Sequence, residues 1–119
     1  MADLFKEKWD SFCENLKDIG SLIESESSLS ETDQAEGYRY LLRLLRLSLE
    51  MNLEHSNSST PSFYSLSHET AKIGADNPDN IYLNANIDGK QEYKVSGNIG
   101  ELNYLSFGLK ENRYSIDGT

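Results

Sequence analysis

Residues 67–80, SHETAKIGADNPDN, hold the densest set of side chains able to do chemistry in this chain of 119 residues. His68, Glu69, Lys72, Asp76, Asn77, Asp79 and Asn80 could serve as acid–base groups or as polar anchors for a ligand or a partner. The same stretch also fits a turn, because Asx side chains bond their own backbone and Pro78 presets φ. His68 and Glu69 are adjacent, so their side chains diverge on a helix or a strand and do not converge easily on one substrate atom. DNPDN lacks the alternating acids and the distant glutamate of a helix–loop–helix calcium loop. The other histidine, His55, falls at a helix end, where a cation complements the dipole. No metal site and no cofactor are expected.

A second candidate is an anion strip. Arg39, Arg43 and Arg46 recur at helical spacing and could hold a carboxylate or phosphate in bidentate fashion. The competing reading is a solvated face in which Arg46 meets Glu50 four residues on. Nucleophile elbows, Walker loops, dinucleotide fingerprints and zinc-protease motifs are absent from the sequence, and no reaction can be named. The single cysteine, Cys13, borders an apolar stripe, where a thiol usually acts as a small buried hydrophobe. Tyr82, Tyr93, Tyr104 and Tyr114 recur once per expected strand and could pack a core or stack a flat ligand.

The elements that must position these residues follow from periodicity. Phe5, Trp9, Phe12, Leu16, Ile19 and Ile23 line one side of a helix. Ser30 followed by Asp33 reads as an N-cap with an acid in the first turn of a second helix. From Glu31 to about His55, two adjoining stripes form, one with Tyr38, Leu41, Leu42, Leu45, Leu49 and Leu53, the other with Tyr40, Leu44, Leu47 and Met51. A surface that wide needs cover on two sides, by the first helix and by a sheet.

After the loop around Pro61 the period changes to two. In IYLNANID (81–88) Ile81, Leu83, Ala85 and Ile87 are expected inward, alternating with Tyr82, Asn84, Asn86 and Asp88 outward. Asp88-Gly89 offers the positive-φ pair of a tight hairpin, and QEYKVSG, ELNYLSFGL and NRYSID follow as returning strands. The predicted fold class is therefore α+β, with two N-terminal helices packed on a C-terminal antiparallel β-meander of about four strands. One domain spans 1–119, with a helical part at 3–55, a loop at 56–80 and a sheet at 81–117. The final Asp117-Gly118 repeats the hairpin signature without a returning strand, which predicts a sheet edge completed by a partner chain or by further residues.

Composition narrows the partners. Net charge is −9, from eleven basic and twenty acidic residues, which disfavours nucleic acid and anionic membrane surfaces. Neither a signal peptide nor a run of roughly 18 apolar residues is present, and a lone cysteine suits a reducing compartment. A cytoplasmic location is the resulting expectation.

AEGYRYLLRLLRLSLEMNLE (35–54), SHETAKIGADNPDNIYLNANIDG (67–89), YKVSG (93–97) and the SFG of Ser106–Gly108 together resemble the N-terminal region of bacterial proteins carrying the domain of unknown function numbered 1214. The resemblance covers about residues 35–110, and DNPDN-Y-IDG is its most specific part. It implies a longer protein of several hundred residues and no assigned activity. The leading functional expectation is a small interaction or assembly module that self-associates through its C-terminal sheet edge or binds another protein chain. The alternative is a small-ligand or enzymatic domain with its polar site in loop 67–80.

Overall fold

Two helices and an irregular arm make up the computed structural model, which describes residues 2–67, 70–74 and 76–111. Helix α1 runs Ala2–Ser25 and helix α2 runs Glu31–Leu49, continuing into a single π-helical turn at Glu50–Glu54. The break between the helices lies in the Ser/Glu-rich segment, and α2 begins with a capping box. The Ser30 hydroxyl accepts from the Asp33 amide at 3.2 Å, while the Asp33 carboxylate accepts from the Ser30 amide at 3.1 Å. Two amides otherwise left without helical partners are satisfied in this way. The Ser30 hydroxyl also donates to Asp33 Oδ2 at 2.6 Å, and that bond, with the one from the Ser30 amide, holds the Asp33 carboxyl below its ordinary value.

Gly37 lets the helices approach closely, since a Cβ there would come within 3.1 Å of Ile23. The Tyr38 hydroxyl donates to Glu24 at 2.6 Å across the same junction. Toward the other end of α1 the cover is lost: Phe5 is exposed and Trp9 keeps 65% of its surface in solvent, resting against Phe12 at a ring separation of 5.9 Å. Leu47 of α2 is the most buried leucine at 2% exposure, joined by Tyr64 and Ala71 as the buried hydrophobic residues described. Burial on that scale stabilises by roughly 2 kcal/mol for a leucine side chain.

The expected β-meander is not formed. Among the described residues there is no strand, and Tyr64 and Asn84 form an isolated antiparallel bridge, exchanging backbone hydrogen bonds of 2.9 and 2.8 Å. The partner of segment 81–87 is therefore the chain just after α2, not the segment that follows it. Local turn geometry gives a reason. The Gln91 amide bonds the Asp88 carbonyl at 3.0 Å, but neither Asp88 nor Gly89 adopts positive φ. A two-residue hairpin needs that conformation to match the twist of its strands, and an unprimed turn splays them. The expected last strand, 112–117, lies outside the described residues.

Apart from Tyr82, which is exposed, and Ala85, which is half-buried, the alternation is inverted relative to expectation. Ile81, Leu83 and Ile87 are exposed, whereas Asn84 and Asn86 are half-buried. Asn86 explains the choice, because its side-chain amide donates to the Met51 and His55 carbonyls at 3.1 and 3.0 Å. A helix end leaves its last carbonyls without partners, and this asparagine supplies them from more than thirty residues away. The segment thus lays its amides on the helical body and turns its apolar side chains out.

Candidate functional site

The polar loop comes back to α2 through a hydrogen bond of 2.7 Å from the Tyr40 hydroxyl to the Lys72 carbonyl. Lys72 then reaches forward, its Nζ lying 3.1 Å from Asp76 Oδ2. That hydrogen bond is the chief cause of a lowered Asp76 pKa, opposed by partial burial and aided by the charge of Lys72. Asp76 is the less exposed partner, at 16% of its side chain against 51% for Lys72. With the Leu66, Ser67, Ile73, Tyr82 and Asn84 side chains it lines a shallow depression of about 370 Å³. The buried Ser67 hydroxyl meets no partner in hydrogen-bonding geometry, and it is the weakest of the influences that hold Asp76 down.

DNPDN itself is a turn. Asn77 Oδ1 accepts from the Asp79 amide at 3.0 Å, and its carbonyl accepts from the Asn80 amide at 3.1 Å. The Tyr82 hydroxyl closes the loop, accepting from the Asn77 amide and the Asn80 side chain, each at 3.3 Å. Asn77, Asn80 and Tyr82 thus satisfy one another, and Asp79 remains at the surface. Of the seven candidate residues, Lys72 and Asp76 form one pair, and Asn77, Asp79 and Asn80 form the adjoining turn. His68 and Glu69 lie outside the described residues.

Of the arginines expected to form an anion strip, Arg39 and Arg46 are exposed and Arg43 is half-buried on α2. Arg39 is paired with Glu36 at 2.9 Å within its own helix, and Arg46 is engaged as well. His55 stacks on Tyr64 with ring centroids 4.8 Å apart and places Nδ1 2.8 Å from the Ser62 hydroxyl. Burial raises the Tyr64 pKa, partly offset by its hydrogen bond to Asn86. Cys13 is exposed, contrary to the expectation of a buried thiol. Among the described residues no group of three or more His, Cys, Asp or Glu side chains is placed to hold a metal ion, and no helix is long and apolar enough to cross a membrane.

Sequence reasoning missed the residues that fasten the arm. Asn86 is one, and Tyr93 is the other: its hydroxyl donates to the Ser58 carbonyl and accepts from the Asp88 amide, both at 2.8 Å. The available signal was a pair of asparagines, Asn84 and Asn86, in a segment where β-branched residues are favoured and asparagine is depleted.

Large apolar side chains are exposed along the arm as well. From Lys94 to Glu111 every residue is exposed, including Ile99, Leu102, Tyr104, Phe107 and Leu109, the last at 86%. A groove of about 460 Å³ also opens between the helices, walled by Leu16, Tyr38, Leu41, Leu42 and Leu45.

No family model and no curated protein matches the chain. Among solved structures, the crystal structure of an uncharacterized protein from Burkholderia cenocepacia is similar, with a TM-score of 0.64 and 48% sequence identity. The match covers 73% of this chain and 24% of that one, so the chain spans about a quarter of the length of its structural neighbour.

Proposed function

We propose that this chain is an interaction or assembly module, whose working state is a complex with a second copy or with another protein chain. The observation that carries the reading is its surface. The accessible area is 10415 Å² for a chain of 13.5 kDa, against about 6,500 Å² for a compact monomer of that mass. The radius of gyration, 17.9 Å, likewise exceeds the roughly 13.5 Å of a compact domain of this length. Exposed large apolar side chains such as Ile81, Tyr104, Phe107 and Leu109 contribute to that area, and where such side chains lie together they mark contact surfaces. Self-association through a sheet edge has no place in the reading, because the described residues form no sheet.

A second reading has one observation in its favour: the Asp76 carboxylate and the buried Ser67 hydroxyl share a depression, which suits a small polar ligand. Membership of the family with domain 1214 is proposed on the motif residues of 35–110 alone. Light scattering of the 119-residue chain across a dilution series tests the leading reading. A dimer or larger assembly is expected for the isolated chain, or aggregation where its partner is another protein. A stable, cooperatively folded monomer would overturn the proposal and turn attention to the depression.

A further inference from the structure

We infer that Asp88-Gly89 is a modification site, where the aspartate isomerises without an enzyme and the product releases the arm at Tyr93. The reaction needs no partner and is independent of the assembly reading.

A side-chain carboxyl reaches the next backbone nitrogen most easily where that residue is glycine, because no Cβ obstructs the approach. Three observations bring the reactants together here. The Lys90 amide donates to Asp88 Oδ1 at 2.9 Å, and the ring closed by this bond runs through Gly89, so the carboxyl is folded over the peptide nitrogen. Neither residue lies in a helix or strand, and a Cβ at Gly89 would meet nothing within 4 Å, so the backbone has room to close. Among the described residues, no cation pairs with the Asp88 carboxylate. Asp10, Asp33 and Asp76 differ on each count. Lys6, Ser30 and Lys72 hold their carboxylates, and Ser11, Gln34 and Asn77 follow them, each with a Cβ.

In the reaction the Gly89 nitrogen attacks Cγ of Asp88: a C–N bond forms, a C–O bond breaks, and water leaves with the amide proton and the carboxyl proton. The cyclic imide then takes water back. Opening at Cγ restores aspartate, whereas opening at the backbone carbonyl leaves the chain running through the side-chain carbon and the old carbonyl as a free carboxylate. Mass is unchanged, but the turn is longer by a methylene. Two bonds of the turn are thereby lost, from the Gln91 amide to the Asp88 carbonyl and from the Lys90 amide to Oδ1. They hold the reversal that returns Tyr93 to Asp88, where its hydroxyl accepts from the Asp88 amide and donates to the Ser58 carbonyl. Every described residue beyond Tyr93 is exposed, so this hydroxyl is the last described fastening of the arm.

The test is peptide mapping of the 119-residue chain after incubation at neutral pH, with isoaspartate identified by electron-transfer fragmentation, beside the same chain in guanidinium chloride and the Gly89→Ala variant. That variant isolates the chemistry, because Gly89 lies outside the positive-φ region and a Cβ there meets nothing within 4 Å. Isoaspartate is expected at position 88, forming at least as fast in the folded chain as in denaturant, and several-fold more slowly in Gly89→Ala. The isoaspartyl form, separated by chromatography, is expected to be cut by trypsin after Lys94 several-fold faster than the parent, because local opening exposes the bond. Tyr93→Phe removes the fastening without the reaction and should be cut at a similarly raised rate. Slower conversion in the folded chain than in denaturant overturns the inference, by showing that the turn protects Asp88. An isomerised chain cut no faster than the parent also overturns it, by showing that the turn does not hold the arm.

Discussion

The helical hairpin of residues 2–54 and the arm of residues 81–111 solve the backbone hydrogen-bonding problem in opposite ways. Along α1 and α2 each interior amide finds a carbonyl four residues away, and the one exposed start that matters, at Ser30, is closed by a capping box. The arm has no such internal solution. Its attachments include the Tyr64 bridge, the Asn86 amide on the end of the π-helical turn, the Tyr64 hydroxyl on Asn86, the Ser65 hydroxyl on the Tyr82 carbonyl, and the Tyr93 hydroxyl on Ser58. A segment that supplies its own partners is stable wherever one face is covered. A segment that does not is held only at the points where side chains reach a neighbour.

That contrast can be broken first from the helical side. Replacing Leu47 with alanine should cost about 3 kcal/mol, because the side chain is almost fully buried and its truncation leaves a cavity. Urea unfolding followed by circular dichroism measures it, and a loss below about 1 kcal/mol would mean that Leu47 packs against little of consequence.

Asn86→Ala acts on the arm. Removing both donors leaves the Met51 and His55 carbonyls short of partners, for an expected loss of about 2 kcal/mol. Helical content should stay nearly constant while limited proteolysis between 81 and 111 accelerates. A parallel loss of helix would show that arm and hairpin fold as one unit, removing the distinction drawn between them.

Ser30→Ala sharpens the same distinction at smaller scale. Loss of an N-cap serine costs about 1 kcal/mol near neutral pH. The Asp33 carboxyl is held below its ordinary value of 3.8 by Ser30. A depressed folded-state pKa contributes stability that is complete above the unfolded value and disappears as pH falls through the folded one. The part of the gap that depends on the Asp33 charge should therefore be constant above about pH 5 and be lost as pH falls below about 4, while the part from the Asp33 amide on the Ser30 hydroxyl remains. A gap that does not narrow at all between about pH 5 and about pH 2 would show that the Asp33 charge contributes nothing to the cap.

Much of the hairpin could be read from residue types and spacing. The apolar stripes of α1 and α2 and the Ser30–Asp33 start all follow from interactions within four residues along the chain. In the candidate site the turn character of DNPDN was legible for the same reason, since Asn77 bonds amides two and three positions away. Harder to see was that Lys72 and Asp76 would pair, leaving Asp76 beside Ser67 at a depression.

The arm could not be read this way. Alternation in 81–87 marks an extended segment with two unlike faces, and it does not say which face turns inward. That choice depended on the unsatisfied carbonyls at the end of α2, which drew in Asn86 and with it the polar face. Likewise Asp88-Gly89 marks a turn, while the backbone angles that would pair its flanks depend on what lies beside them. Helices and tight turns close their hydrogen bonds locally and are inscribed in short stretches of sequence. Pairing, facing and burial of extended chain require partners distant in sequence, so only the tertiary structure decided them.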